Sequence, residues 1–110
     1  MAQNVNVLVY PAQDLAATKA FFTTFLGTEP YADSPYYVGY RVGELEIGLD
    51  PHGQAIIAYA EVEDIKASLQ TLIDAGATLL QEPKDVGGGL LIAQIKDANG
   101  SVLGLRQAAK

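Results

Sequence analysis

Residues 97–107 read "DANGSVLGLRQ", and their reading decides the fold. Asp97-Ala98-Asn99-Gly100 has the composition of a tight turn, because Asp, Asn and Gly satisfy or adopt the backbone conformations a turn needs. The residues after it alternate, which puts Val102, Gly104 and Arg106 on one face of a strand. The same ending occurs earlier in the chain. "ELEIGL" at 44–49 also closes on a Gly-Leu pair, Gly48-Leu49.

Working outward from the two Gly-Leu strands, the two halves of the chain repeat. "NVNVLVY" (4–10) and "AIIAYAEV" (55–62) read as strands rich in β-branched residues. Asp14 and Asp64 follow them as helix N-caps, where a carboxylate accepts free backbone N–H groups and complements the helix dipole. Leu15, Thr18, Phe22, Phe25 and Leu26 form the expected buried stripe of the first helix, and Ile65, Leu69, Leu72 and Ile73 that of the second. Gly27 and Gly76 end them. Extended pieces containing Glu29-Pro30 and Glu82-Pro83 come next. Each half closes with a strand pair, "YYVGYRV" with "ELEIGL" through Gly43, and "GGLLIAQIK" with "SVLGLRQ" through the Asp97–Gly100 turn.

The expected fold class is α+β, with two tandem βαβββ modules in one domain over residues 1–110. Module 1 covers about 4–50 and module 2 about 55–107, joined by a linker at about 50–54 that contains Pro51, His52 and Gly53. A unit of this kind buries its helix on one sheet face, so the expectation is a curved mixed sheet around a cup, with the helices outside. Any ligand is expected in that cup.

Composition narrows the function classes. The chain has no cysteine, which excludes thiolate metal sites and disulfides. Its net charge of −6, with seven scattered Lys and Arg, is wrong for a phosphate backbone, so no nucleic-acid partner is expected. No apolar run reaches the roughly 18 residues of a membrane span, and "MAQNVNVLVY" lacks a basic, signal-like flank. A cytoplasmic location and no membrane partner are the expectations.

The pattern resembles the vicinal oxygen chelate superfamily, which groups glyoxalase I, bleomycin-resistance proteins and extradiol dioxygenases. The resemblance runs over essentially the whole chain, through "DLAATKAFFTTFLG", "VEDIKASLQTLIDAGATLLQEPKDVGGG" and "DANGSVLGLRQ". It implies that metal-dependent members carry one ligand on the first strand of each module, usually His, and one on the last, usually Glu. Those positions here are Val7, Gly48, Ile57 and Gly104. None offers the imidazole nitrogen or carboxylate oxygen a metal needs, so neither a metal nor another cofactor is expected.

The cup floor is expected to comprise Val5, Val7, Val9, Ile57, Val102 and Gly104. Gly48 and Gly104 either leave room for a ligand or mark bulges. Tyr40 and Tyr59 are candidate aromatic walls, although strand propensity alone also places tyrosines there. Glu46, alternating with Glu44, Gly48 and Asp50, is either a solvated edge residue or a base near an apolar floor. Arg41 and Arg106 are surface residues or an anion clamp. His52 reads as a turn residue, and "VGGG" at 86–89 as a hairpin rather than a phosphate loop, since no P-loop lysine or helix follows.

The expected function is metal-independent binding of a small molecule by Val7, Tyr40, Arg41, Glu46, Gly48, Ile57, Tyr59, Gly104 and Arg106. The alternatives are a lyase or isomerase using Glu46 and Tyr59 in acid–base chemistry, or an interaction module with a closed cup. A homodimer is expected, because two-fold pairing is common and sheet edges invite it.

Overall fold

The computed structural model describes residues 4–109. The first module runs β1 (Asn4–Pro11), α1 (Leu15–Leu26), β2 (Ala32–Asp33), β3 (Val38–Val42) and β4 (Leu45–Asp50). The second runs β5 (Ile57–Glu61), α2 (Ile65–Asp74), β6 (Thr78–Asp85), β7 (Leu91–Lys96) and β8 (Val102–Gln107). The chain is α+β, and both modules have the βαβββ order read from the sequence. Neither helix is long and apolar enough to cross a membrane.

The two modules repeat in pairing as well as in order. In the first, β1 runs parallel to β4, β4 antiparallel to β3, and β3 antiparallel to β2. In the second, β5 runs parallel to β8, β8 antiparallel to β7, and β7 antiparallel to β6. The residues group into one compact unit of 6–57 and another containing 4–5 and 58–109. The division therefore passes through the ends of β1 and β5 rather than the Asp50–Gly53 turn.

Both caps form as the sequence dictates. The Asp14 side chain accepts from the Ala17 N–H, and that of Asp64 from the Ala67 N–H, each at 3.1 Å. Gly27 closes α1 in the left-handed conformation, φ 71°, with its N–H on the Thr23 carbonyl. In α2 the Ala75 N–H makes the closing bonds and Gly76 follows at φ 108°. Asp14→Ala removes an acceptor for an otherwise orphaned helix N–H. It should cost about 1 kcal/mol, measurable as a lowered urea midpoint with unchanged slope.

Each helix packs on one face of its own sheet. In the first module Ala12, Val38, Tyr40, Ile47 and Leu49 form the buried cluster, with Leu15, Phe22 and Leu26 of α1 against it. In the second, Ile65 and Leu69 of α2 pack with Val62, Ala93, Ile95 and Leu105. Two stripe residues are placed differently from expectation. Phe25 is 71% exposed, and Ile73 is exposed as well. At about 100° per residue, each lies about 80° round its helix from the first residue packed on the sheet, Leu15 or Ile65. Phe25 stacks on Phe21 instead, centroids 6.3 Å apart with the rings 6° from parallel.

The turns follow their chemistry. Asp97 Oδ1 accepts from the Asn99 and Ser101 N–H groups at 2.9 and 2.8 Å, fixing the turn before β8. His52 is an exposed turn residue whose N–H donates to Asp50 Oδ1. Residues 86–90 close the β6–β7 hairpin, with the Val86 N–H on the Leu90 carbonyl.

Candidate functional site

Register decides which side chains share the sheet face opposite each helix. In the first module Val7 pairs with Glu46, Val9 with Gly48, Gly39 with Gly48, and Arg41 with Glu46. Residues opposite one another across a ladder point to the same face. Val7, Val9, Gly39, Arg41, Glu46 and Gly48 therefore lie together, away from α1. In the second module Tyr59 pairs with Gly104, Glu61 with Arg106, and Gln94 with Gly104. By the two-residue period, Ile57, Val102 and Arg106 join Tyr59 on that face.

Tyr40 does not belong with them. It is the expected wall residue that lies on the helix side, fully buried, with its hydroxyl bonded to Thr23 Oγ1 at 2.8 Å and donating to the Lys19 carbonyl at 2.9 Å. Alternation along β3 explains this, since Tyr40 is one residue from Gly39 and Arg41 and so points the other way.

The aromatic groups on the first face are Tyr31 and Tyr37. Tyr31 Oη donates to Glu46 Oε1 at 2.6 Å, and Tyr37 Oη to Glu46 Oε2 at 2.5 Å. Both carboxylate oxygens thus accept a phenol proton. The Arg41 guanidinium lies over the Tyr31 ring, 4.7 Å from its centroid, in cation–π geometry. Tyr31 and Tyr37 flank β2, whose Asp33 pairs with Lys19 of α1. That hydrogen bond raises the Lys19 ammonium above its ordinary pKa.

Tyr37 covers the glycines. A Cβ on Gly48 would overlap the Tyr37 hydroxyl and stand 2.7 Å from Cε1. The second module repeats the device with a different residue. A Cβ on Gly104 would overlap Cδ1 and Cε1 of Tyr59 and stand 2.8 Å from Cγ. The Tyr59 hydroxyl accepts from Gln94 Nε2 at 2.9 Å. Beside it, Arg106 Nη1 donates to Glu61 Oε1 at 3.3 Å. In each module a tyrosine of that same module occupies the space beside the strand glycine.

Tyr31, Tyr37 and Gln94 were missed as partners because their contacts cross strands. The alternation of "YYVGYRV" puts Tyr37 on one face with Gly39 and Arg41, and that is the one local signal for Tyr37.

A metal of the kind the family resemblance implies does not fit these residues. Val7 and Ile57 offer hydrocarbon, Gly48 and Gly104 have no side chain, and tyrosine rings stand beside both glycines. Among the described residues no three His, Cys, Asp or Glu side chains gather into a metal-holding group.

No protein-family model and no curated protein matches the sequence. Solved structures do match. A hypothetical protein from Bacillus halodurans C-125 is 15% identical, with TM-score 0.81 over 100% of this chain and 97% of its own. Methylmalonyl-CoA epimerase from Mycobacterium tuberculosis is 17% identical, with TM-score 0.78 over 97% of this chain and 89% of its own. A glyoxalase/bleomycin resistance protein/dioxygenase superfamily member from Vibrio splendidus 12B01 is 19% identical, with TM-score 0.74 over 97% and 100%.

Proposed function

We propose that this chain, which has the vicinal oxygen chelate fold of those structures, is a metal-independent small-molecule-binding protein. The observation that carries the reading is the composition of the two sheet faces. Where the resemblance implies metal donors, the chain has Val7, Gly48, Ile57 and Gly104. Beside the two glycines stand tyrosine rings with polar tips, Tyr37 on Glu46 and Tyr59 on Gln94. Apolar and aromatic surface with a few placed polar groups is what small-molecule sites are made of.

Arg41 and Arg106 are engaged within the chain, over Tyr31 and against Glu61. This favours orienting roles over a free anion clamp. Glu46 sets the polar end of the first face, since both of its oxygens already accept hydroxyl protons.

A thermal-shift screen of small aromatic compounds tests the reading, run with and without a metal chelator. A compound at about 100 times its Kd should add about 2.7 kcal/mol to the native state, and the chelator should leave that shift unchanged. A shift that disappears on chelation and returns with a divalent metal would overturn the metal-independent reading.

A further inference from the structure

The β2–β3 hairpin has a narrow backbone footing. Its ladder consists of two pairs, Ala32 with Gly39 and Asp33 with Val38, in front of a turn where the Ser34 N–H donates to the Tyr37 carbonyl. Side chains supply further hold, through Tyr31 and Tyr37 on Glu46 and Asp33 on Lys19. Beneath the two rings, Gly39 and Gly48 face each other across β3 and β4. Together they make a strip of bare backbone two strands wide.

Neither glycine is needed for its backbone conformation, since neither has positive φ. Glycine in a strand weakens it, so its presence calls for close approach by another group. That group is a flat ring. A Cβ on Gly39 would stand 3.0 Å from Tyr37 Cε2 and 3.1 Å from Tyr31 Cε1, and one on Gly48 would collide with the Tyr37 ring.

We propose that the Gly39–Gly48 strip, with Glu46 at its end, is a binding site for a planar phenolic ring, and that residues 31–37 are the lid over it. This inference rests on the small-molecule-binding reading and names the chemistry and the moving part. Tyr37 shows what the strip accepts: a ring thin enough to lie where side chains are absent, with a hydroxyl that donates to Glu46. Val9, paired with Gly48, supplies an apolar flank. When a phenolic ligand replaces Tyr37, one phenol O–H leaves the carboxylate and another arrives, so the hydrogen bond is conserved. Tyr37 is half-buried and sits at the end of a turn, which lets its ring swing outward. The cost is the fraction of time the lid is open, which lowers apparent affinity.

The test is a titration of the full chain with phenol, anisole or cyclohexanol, followed by backbone amide NMR. Anisole lacks the donor and cyclohexanol lacks the plane. Phenol should shift the Gly39 and Gly48 amides. Tyr37→Ala should bind phenol about tenfold more tightly than wild type, because the lid's competing ring is gone. The two comparators should bind Tyr37→Ala several-fold more weakly than phenol does. Equal binding of all three, or phenol that leaves both glycine amides unmoved in a folded Tyr37→Ala, would overturn the proposal. Should that variant not fold, unmoved glycine amides in wild type at high millimolar phenol are equally decisive. Phenol that shifts Gly104 alone would remove this site and leave the broader binding reading standing. An empty thermal-shift screen would count against that reading instead.

Discussion

Gly104→Ala should destabilise the protein by about 3 kcal/mol, the upper end of what overpacking a filled site costs. Alanine is normally the better strand residue, and Gly104 has no positive φ to protect. The whole effect must therefore come from Tyr59. Tyr59 is 7% exposed, and the added carbon meets Cδ1, Cε1 and Cγ, atoms that only a change of the whole side-chain rotamer inside a buried site, or a shift of β5, could clear. Urea unfolding of four proteins isolates the term: wild type, Gly104→Ala, Tyr59→Ala and the double variant. In the Tyr59→Ala background the second substitution should cost nothing or add stability. The coupling should then be about 3 kcal/mol, at the high end for residues in contact. Additive costs would show that glycine is required there for some other reason. Gly48→Ala makes a useful contrast, because its collision is with the hydroxyl end of Tyr37, far from that residue's backbone, so relief costs the Glu46 hydrogen bond rather than a shift of the strand.

Leu49→Ala is the second large effect expected, at about 3 kcal/mol from lost transfer energy and the cavity left behind. Leu49 is fully buried between Tyr10 of β1 and Val38 of β3, its neighbours in register. Leu103→Ala is the control. That leucine is 41% exposed, so its truncation should cost under about 1 kcal/mol. Thermal and urea melts of the two variants check the ranking, and equal costs would mean the first-module core is not organised as described.

Local rules carried the fold. Asp14 and Asp64 cap their helices because a carboxylate beside free N–H groups is a short-range matter, readable without knowing the tertiary structure. Alternation placed Gly104 with Arg106 on one strand, and Ile57 with Tyr59 on another, for the same reason. The same rule puts Tyr40 on the helix side, opposite Gly39 and Arg41, and its strand neighbours already said so. Phe25 shows where a stripe's edge blurs, since helical spacing admits it but the width of the sheet face does not reach it. The Glu46 cluster was the least legible part. Tyr31 and Tyr37 reach it from 15 and 9 residues away across a hairpin. Which of six tyrosines would do so depends on β3–β4 register and on the glycines beneath, not on any local pattern.

The Tyr59–Gly104 contact also restricts the order in which this sequence can change. The family resemblance implies a carboxylate at position 104 in metal-dependent members. A single substitution there to glutamate would have to begin its side chain inside the Tyr59 ring. Position 59 must shrink first, and that intermediate loses a buried ring and strands the Gln94 amide. A path toward a metal-binding strand therefore has a valley in it, whichever step is taken first. Neighbouring chains that have kept tyrosine at position 59 are thereby expected to keep glycine at 104, and the two should be lost together.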